Sequence, residues 1–375
     1  MERRKSDTVQ NFDISKQPTI KQVADLAGVS TATVSRVLDE SSGVSQELND
    51  RVRDAVRRLD YLPNRAARNL RKRTAQTIGV VISDIQNPFF TSVMRGIEKV
   101  LVEADFILLL CNSDEDPKRE KDHLSTLRSE GVAGIILATT RSDSESYHQL
   151  LKSRTPLVGI DRTPEQLSMD VVSVTNSRGA YSAISHLSDF GHKRIGLISG
   201  PSQLSTARER LKGYEEAVQM RNLVRSDDLI QYGDFRQPGG YQAIQTLLDL
   251  PEPPTAVLVA NNLMTLGALQ AIHERNLMIP DQIAVVGFDD MPWATSLQPP
   301  LTAVAQPTYE LGIAAAQLLL DRLREPDRPY RHVVLETQLM IRASSGSHKN
   351  YPKLSNNNPH SPSSLLKESE SICSK

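Results

Sequence analysis

Cysteine occurs twice in this chain and tryptophan once. Cys111 lies in an apolar run and Cys373 near the C-terminus, so neither a disulfide framework nor metal-ligand spacing follows. A reducing compartment fits. Net charge is also scarce, at −1, which denies the chain as a whole a polyanion-binding signature. No apolar run approaches the about 18 residues that a membrane span requires. The opening MERRKSDTVQNFDISKQ carries charge with no apolar core behind it and does not read as a signal peptide. Signatures of common enzyme classes are missing as well: no phosphate loop, no Gly-x-Ser-x-Gly elbow and no metal cluster. The expectation is a cytoplasmic protein that is not an enzyme and holds no cofactor.

What is present is unevenly spread. Residues 19–73 carry 11 Lys and Arg against 7 Asp and Glu, and residues 65–73 hold five basic residues with no acid, so the rest of the chain is net acidic. A basic head on an acidic body points to nucleic acid for the head, a solvated basic helix being the alternative.

Residues 1–18 are polar and aperiodic and read as a flexible arm. Residues 19–62 carry helical periodicity, and residues 63–77 form a basic linker with a Pro-Asn start. From Ile78 eight short apolar runs (78–83, 106–111, 134–139, 156–161, 171–174, 195–200, 256–260 and 283–288) alternate with helical patterns at 89–103, 117–130, 179–190, 207–221, 238–249 and 262–275. Each run reads as a strand buried on both faces, and the alternation implies parallel sheets flanked by helices. The stretch 78–346 exceeds a typical single core and divides into two α/β lobes. Residues 347–375, rich in Ser, Asn and Pro, read as a disordered tail.

In the head, Thr19 stands three residues before Gln22, the spacing of a capping box. Ile20, Val23, Ala24 and Ala27 share one helical face. Gly28 supplies a corner, and Ser30 caps a second helix with Val34, Val37 and Leu38 inward. A third helix opens near Ser45 with a single stripe of Leu48, Val52, Ala55, Val56 and Leu59. Three short helices around one core match a helix-turn-helix unit, a protein-interaction module being the alternative. Thr31, Ala32, Ser35 and Arg36 occupy the outward face of the second helix. Small residues let it approach a surface closely, and Arg suits guanine O6/N7 or a phosphate.

The stretch from TIKQVADLAGVSTATVSRVLDE through RAARNLRKRTAQTIGVVI closely resembles the N-terminal signature of the lactose-repressor (LacI/GalR) family of bacterial transcription regulators. The likeness continues through GHKRIGLISGP (191–201), AVLVANN (256–262), VVGFDD (285–290) and PPLTAVAQP (299–307), covering about residues 19–343. It implies a helix-turn-helix three-helix domain followed by a two-lobed, periplasmic-binding-protein-like α/β domain. It also implies base contacts from Thr31 and Ala32, a DNA contact from Arg36, and phosphate contacts from Thr19, Ile20, Ser30, Thr33 and Ser35. Asp39 stands where members commonly carry Asn, and no DNA contact is carried onto it.

Between head and body, Pro63 ends what precedes and Asn64 is a good N-cap. The helix that could follow has under two turns, too few to be stable alone. Paired copies could meet through Ala66 and Ala67 and drive Leu70 between base steps in the minor groove. The resemblance gives that wedge role to Leu70, and Asn64 and Ala67 join it in the DNA-binding set.

Ligands in open α/β sheets bind beyond the carboxyl ends of strands. That rule selects Ser83 and the following DIQNPFF, Asp161, the loop after IGLISG, Asn261 and Asp289. The resemblance implies effector contacts from Ser83, Phe89, Phe90, Asp161, Arg210, Phe235, Asn261, Asp289 and Gln306. Carboxylate and guanidinium grip hydroxyls, and aromatic rings stack on an apolar ring face. Asp289 and Asn261 could instead only cap helices, and Phe89 and Phe90 could be core. Thr175 and Asn262 stand where many relatives have Asp. Some purine-binding relatives use an arginine and a tryptophan where this chain has Leu204 and Arg162.

The expected function is a sequence-specific transcriptional repressor, a homodimer on near-palindromic double-stranded operator DNA in the bacterial nucleoid, with its affinity modulated by a small sugar-like effector. The competing readings are a regulator controlled by a protein partner, as in catabolite control, and a solute-binding receptor without a DNA role.

Overall fold

A computed structural model describes residues 18–38, 43–61, 76–140, 147, 155–162, 164 and 168–346. The chain divides into two compact units, Met1–Ala75 and Gln76–Lys375. The expected arm, linker and tail lie mostly or wholly outside the described residues, as do Asp39, Asn64, Ala67 and Leu70.

The first unit holds α1 (Ile20–Ala27), α2 (Thr31–Leu38) and α3 (Gln46–Leu59). Thr19 caps α1 in a complete capping box: its side chain accepts from the Gln22 N–H, and the Gln22 side chain accepts from the Thr19 N–H at 2.7 Å. Gly28 ends α1 in the left-handed region (φ 64°), where a side chain would be strained and would also meet the Arg51 guanidinium. Arg51 reaches across from α3 and donates to the Ala27 carbonyl at 2.6 Å, fixing the corner. Eight-residue helices are marginal in water, so their helicity rests on the shared core of Val23, Ala24, Ala27, Val34, Val37, Val52, Ala55 and Tyr61. Each fully buried valine there contributes about 1.5–3 kcal/mol.

The second unit is a pair of six-stranded sheets. In chain order its elements are β1 (Thr77–Ile82), α4 (Pro88–Glu103), β2 (Ile107–Asn112), α5 (Pro117–Ser129), β3 (Gly134–Leu137), β4 (Leu157–Ile160) and β5 (Asp170–Val174). The chain then builds α6 (Asn176–Asp189), β6 (Ile195–Ser199), α7 (Ser205–Met220), β7 (Ile230–Tyr232), α8 (Gln237–Leu248), β8 (Ala256–Val259), α9 (Asn262–Glu274), β9 (Ala284–Phe288) and β10 (Thr302–Ala305). It finishes with α10 (Thr308–Arg324), β11 (His332–Leu335) and β12 (Gln338–Met340). Sheet orders are β11-β5-β4-β3-β1-β2 and β12-β10-β9-β8-β6-β7. All pairs are parallel except β10 with β12.

Each lobe repeats the doubly wound order in which the chain winds outward from its first strand in both directions. Ligands therefore gather at the carboxyl ends of the strands flanking that switch. The chain passes between the lobes three times: between β5 and α6, between β10 and α10, and between β11 and β12. Thr175 and Thr337 tie two of these passages together, the Thr337 N–H donating to the Thr175 hydroxyl at 3.0 Å. Thr175 thus sits at a crossover, away from the residues lining the cleft. α10 returns to the first lobe and packs on α4 at glycine contacts. A Cβ on Gly96 would meet the Tyr309 carbonyl at 2.1 Å, and one on Gly312 the Val93 carbonyl at 2.0 Å.

All eight apolar runs form strands, but not all are buried on both faces. β2 is the exception: Ile107, Leu109 and Leu110 are each about two-fifths exposed. Among the described residues it is the edge of its sheet, with a neighbour on one side alone. Four strands, β7, β10, β11 and β12, were not anticipated. They are three or four residues long, and most carry mixed polarity.

Candidate functional site

The head presents one outward face on α2. Thr31, Ala32 and Arg36 are exposed there, and Thr33 and Ser35 are half-buried at its margin. Ser30 caps the helix, accepting from the Thr33 N–H at 3.1 Å, and its hydroxyl lies 2.9 Å from that of Thr33. Thr19 is exposed at the start of α1, and the Ile20 side chain packs partly against the core. The face is smooth because its residues are short, and the Arg36 side chain is the long one on it.

The second unit gathers a different set. Asn87, Phe89, Phe90, Asp161, Arg162, Thr206, Arg210, Phe235, Asn261, Asp289 and Gln306 line one cleft between the lobes. The cleft is narrow, with about 20 Å³ of free volume, roughly one water-sized sphere. That volume is too small for a monosaccharide with the lobes as they stand. Asn262 Nδ2 donates to Asn87 Oδ1 across the gap at 2.8 Å, and Arg236 Nη2 donates to Asp114 Oδ1 at 2.8 Å.

Three of these residues sit in backbone conformations that side chains avoid: Asp161 (φ 62°), Phe235 (φ 63°) and Asp289 (φ 73°). Asp161 centres a three-residue turn, the Arg162 N–H returning to the Ile160 carbonyl at 2.7 Å. With a positive φ that is the strained kind of γ-turn. It places two consecutive residues, Asp161 and Arg162, in the cleft wall, where a continuing strand would alternate them. Strain of order 1–3 kcal/mol at each such residue persists only where the surroundings impose it, and it concentrates at functional sites.

The polar groups are partly interlocked. Asp289 accepts from Gln306 Nε2 and from the Asn262 N–H at 3.3 Å. Arg210 donates from Nε to Asn176 Oδ1 at 2.8 Å and from Nη1 to the Ala260 carbonyl at 2.5 Å, with its guanidinium over the Phe288 ring at 3.8 Å. Asn261 caps α9, accepting from the Met264 N–H at 2.9 Å, and donates to the Phe235 carbonyl at 2.9 Å. The capping alternative for Asn261 is therefore realised while the residue still lines the cleft. Phe89 and Phe90 are likewise both core and wall, their rings edge to face at 5.0 Å.

Among the described residues, three buried polar atoms of the wall have no hydrogen-bond partner: Asp161 Oδ1, Arg162 Nε and Gln306 Oε1. Burial pushes the Asp161 carboxyl up to about 6, with Arg162 and Arg210 pulling the other way. Burial also raises Asp289, opposed first by Arg210. It lowers Arg210, which both aspartates oppose.

Eight of the nine expected cleft residues are thus brought together. Ser83 is the exception. It is fully buried at the end of β1, its carbonyl accepts the Glu115 N–H at 2.9 Å, and its hydroxyl faces no partner and no cleft. Asn87, Arg162 and Thr206 join the wall without having been in the expected set. Asn87 lay inside the DIQNPFF loop that the strand-end rule selected, and Arg162 directly follows a selected residue. Among the described residues no group of His, Cys, Asp and Glu is placed to hold a metal ion, and no helix is long and apolar enough to cross a membrane.

Comparison with known proteins adds to this geometry. Residues 19–64 match the bacterial regulatory proteins of the lacI family, and residues 184–345 match the periplasmic binding protein-like domain. The chain is 36 % identical over 328 residues to the ribose operon repressor of Escherichia coli (strain K12), covering 87 % of this chain and 99 % of that one. The structure of a transcriptional regulator CelR–cellobiose complex is similar at a TM-score of 0.68 and 33 % identity, covering 87 % and 99 % of the two chains. The lac repressor dimer bound to operator and the anti-inducer ONPF gives a TM-score of 0.79 at 27 % identity, covering 88 % and 100 %.

Proposed function

This chain belongs to the lacI family of bacterial regulatory proteins and is a DNA-binding transcription regulator with an effector-binding body; from that premise we propose that it is a repressor acting as a homodimer on a near-palindromic operator, under the control of a small sugar or sugar derivative. The observation that carries the effector half is the cleft itself. Aromatic side chains, two carboxylates and two guanidiniums converge there at strand ends of both lobes. Relatives named for a ribose operon and a cellobiose complex support a sugar.

In this reading α2 enters the major groove, with Thr31 and Ala32 on base edges and Arg36 reaching a guanine or a phosphate. Thr19, Ile20, Ser30, Thr33 and Ser35 hold the backbone. The linker through Asn64, Ala67 and Leu70 orders on the DNA, and Leu70 wedges the minor groove. The linker immediately precedes β1 in the sequence, and in this reading a change in the angle between the lobes bears on the segment that must order. Coupling of this kind is reciprocal: operator binding must shift effector affinity by the factor that effector shifts operator affinity.

The exposed sheet edges support a dimer. β2 and β7 are the equivalent edges of their sheets; Ile107, Leu109, Leu110 and Tyr232 are exposed on them, and Val102 of α4 is exposed beside Ile107. A stable interface buries about 800 Å² per partner, and two-fold symmetry implies two half-sites. The test is selection of bound sites from random duplex DNA by the full chain, with and without a panel of sugars. An enriched inverted repeat whose recovery changes with one sugar is expected. Recovery of no preferred sequence under any condition overturns the reading.

A further inference from the structure

Glu115 does not line the cleft, yet it determines what one of the cleft's two cations can do. Arg162 is buried, and both of its terminal nitrogens are spent on Glu115: Nη1 to Oε2 at 2.6 Å and Nη2 to Oε1 at 2.9 Å. Asp114 and Glu115 are consecutive left-handed residues (φ 55° and 57°). That double bend sends Asp114 to Arg236 of the other lobe and Glu115 to Arg162. The second cation, Arg210, has two nitrogens bound to Asn176 and Ala260 and a ring against its face. Phosphate recognition uses a guanidinium fork that is free to bind two oxygens, and the Arg162 fork is filled.

Helix N-termini are the other common anion site. The start of α9 is already taken, its Asn262 N–H donating to Asp289. The start of α4 is capped by Asn87, which accepts from the Phe89 N–H at 2.9 Å. The helix start at Leu204, beside Thr206, carries no side-chain cap and is where an anion would have to lodge.

The unmet hydrogen-bonding groups of the wall complete the argument. They are two acceptors, Asp161 Oδ1 and Gln306 Oε1, and one donor, Arg162 Nε. Arg162 Nε lies 3.7 Å from Asp161 Oδ2, too far for a hydrogen bond. Hydroxyl groups donate and accept, and so answer all three. A phosphate dianion only accepts. Placed against these atoms, it would leave both acceptors unmet and would bring like charge against Asp161 and Asp289.

We propose that Glu115, by filling the Arg162 fork, is a specificity-determining residue that restricts the effector to uncharged polyhydroxylated molecules and excludes their phosphate esters. This rests on the reading of the cleft as the effector site. The test is calorimetric titration of the full chain with matched pairs: ribose and ribose 5-phosphate, glucose and glucose 6-phosphate, adenosine and adenosine monophosphate. The neutral member of at least one pair binds, and its ester binds at least about a hundredfold more weakly, as like-charge juxtaposition requires. In E115Q, with folding checked by thermal melting, the gap between ester and neutral partner narrows at least about tenfold, because one arm of the Arg162 fork loses its acceptor and its charge is no longer neutralised by Glu115. An ester that binds the unmodified chain as tightly as its neutral partner overturns the inference while leaving the cleft as the effector site. Binding of no member of any pair, by a chain that still selects DNA, overturns the cleft reading itself.

Discussion

The face of α2 and the cleft between the lobes are built on opposite principles. On α2 the backbone is regular, the side chains are short and exposed, and the hydroxyls of Ser30 and Thr33 already bond each other or the helix. In the cleft the side chains are long and buried, three residues are held at positive φ, and three polar atoms lack partners. A buried polar atom without a partner costs about 1–3 kcal/mol, so the cleft stores a deficit that a ligand removes. The helix face stores none, and its affinity for DNA has to come from contacts made on arrival. Discrimination by the cleft is thus prepared in advance, whereas the head's is assembled on its target.

Four substitutions test that contrast. The largest effect is expected from Asp289→Ala, which removes the carboxylate that engages Gln306 and the start of α9. Effector affinity measured by calorimetry falls by about a hundredfold or more, while effector-free DNA affinity holds. A comparable loss of DNA affinity would show that the two regions are not separately built.

Asp161 gives the next effect, and it appears in stability as well as binding. Burial holds its carboxyl near 6 against an ordinary 3.8, so the folded chain takes up a proton that the unfolded chain does not. Its contribution to stability is fully present below about pH 4 and is lost as pH rises through 6; Asp289 and Glu120, also raised by burial, act in the same direction. Asp161→Asn is expected to raise the free chain's stability at pH 7 by at most about 3 kcal/mol. The same change weakens effector binding and flattens its decline below pH 6. A melting temperature that is unchanged or lowered at pH 7 would remove the stored deficit from the account.

Arg36→Ala should cost about 1–3 kcal/mol of discrimination at the operator and leave effector affinity and body stability alone, as read by fluorescence anisotropy and calorimetry. Thr19→Ala, which opens the capping box, should destabilise the head by about 1 kcal/mol. Amide exchange in α1 would register that change with no shift in the body's melting.

The head was legible because its signals are local. The Thr19–Gln22 spacing, the Gly28 corner and the Val52–Ala55 stripe each act within a few residues. Strands buried on both faces were legible for the same reason. β2 was misjudged because lateral position is not written in an apolar run: FILLLC reads like a central strand, and only its place at the sheet edge leaves Leu109 and Leu110 outside. β11 and β12 exist because the chain returns to each lobe late, a long-range event with no local mark. In the cleft, the strand-end rule and the family likeness reached Asp161, Asn261 and Asp289. The sequence marks Arg162 only as standing where some purine-binding relatives have another ligand contact, and it stays outside the predicted set because neighbours at a strand end normally face opposite ways, an alternation that a strained turn overrides. Ser83, selected by the same rule, is buried at the end of β1 and is not among the residues lining the cleft.

The return of α10 and β11 to the first lobe has a consequence for biosynthesis. The head closes on residues within its first 61 positions, and β6 to β10 follow one another without interruption. The first lobe instead needs residues 308–335 to cover α4 and flank β5. Closing a loop of that length is an entropic cost met late, and domains fold in the order they leave the ribosome. The residues that close the DNA-reading head's core therefore all emerge well before those that complete the first lobe.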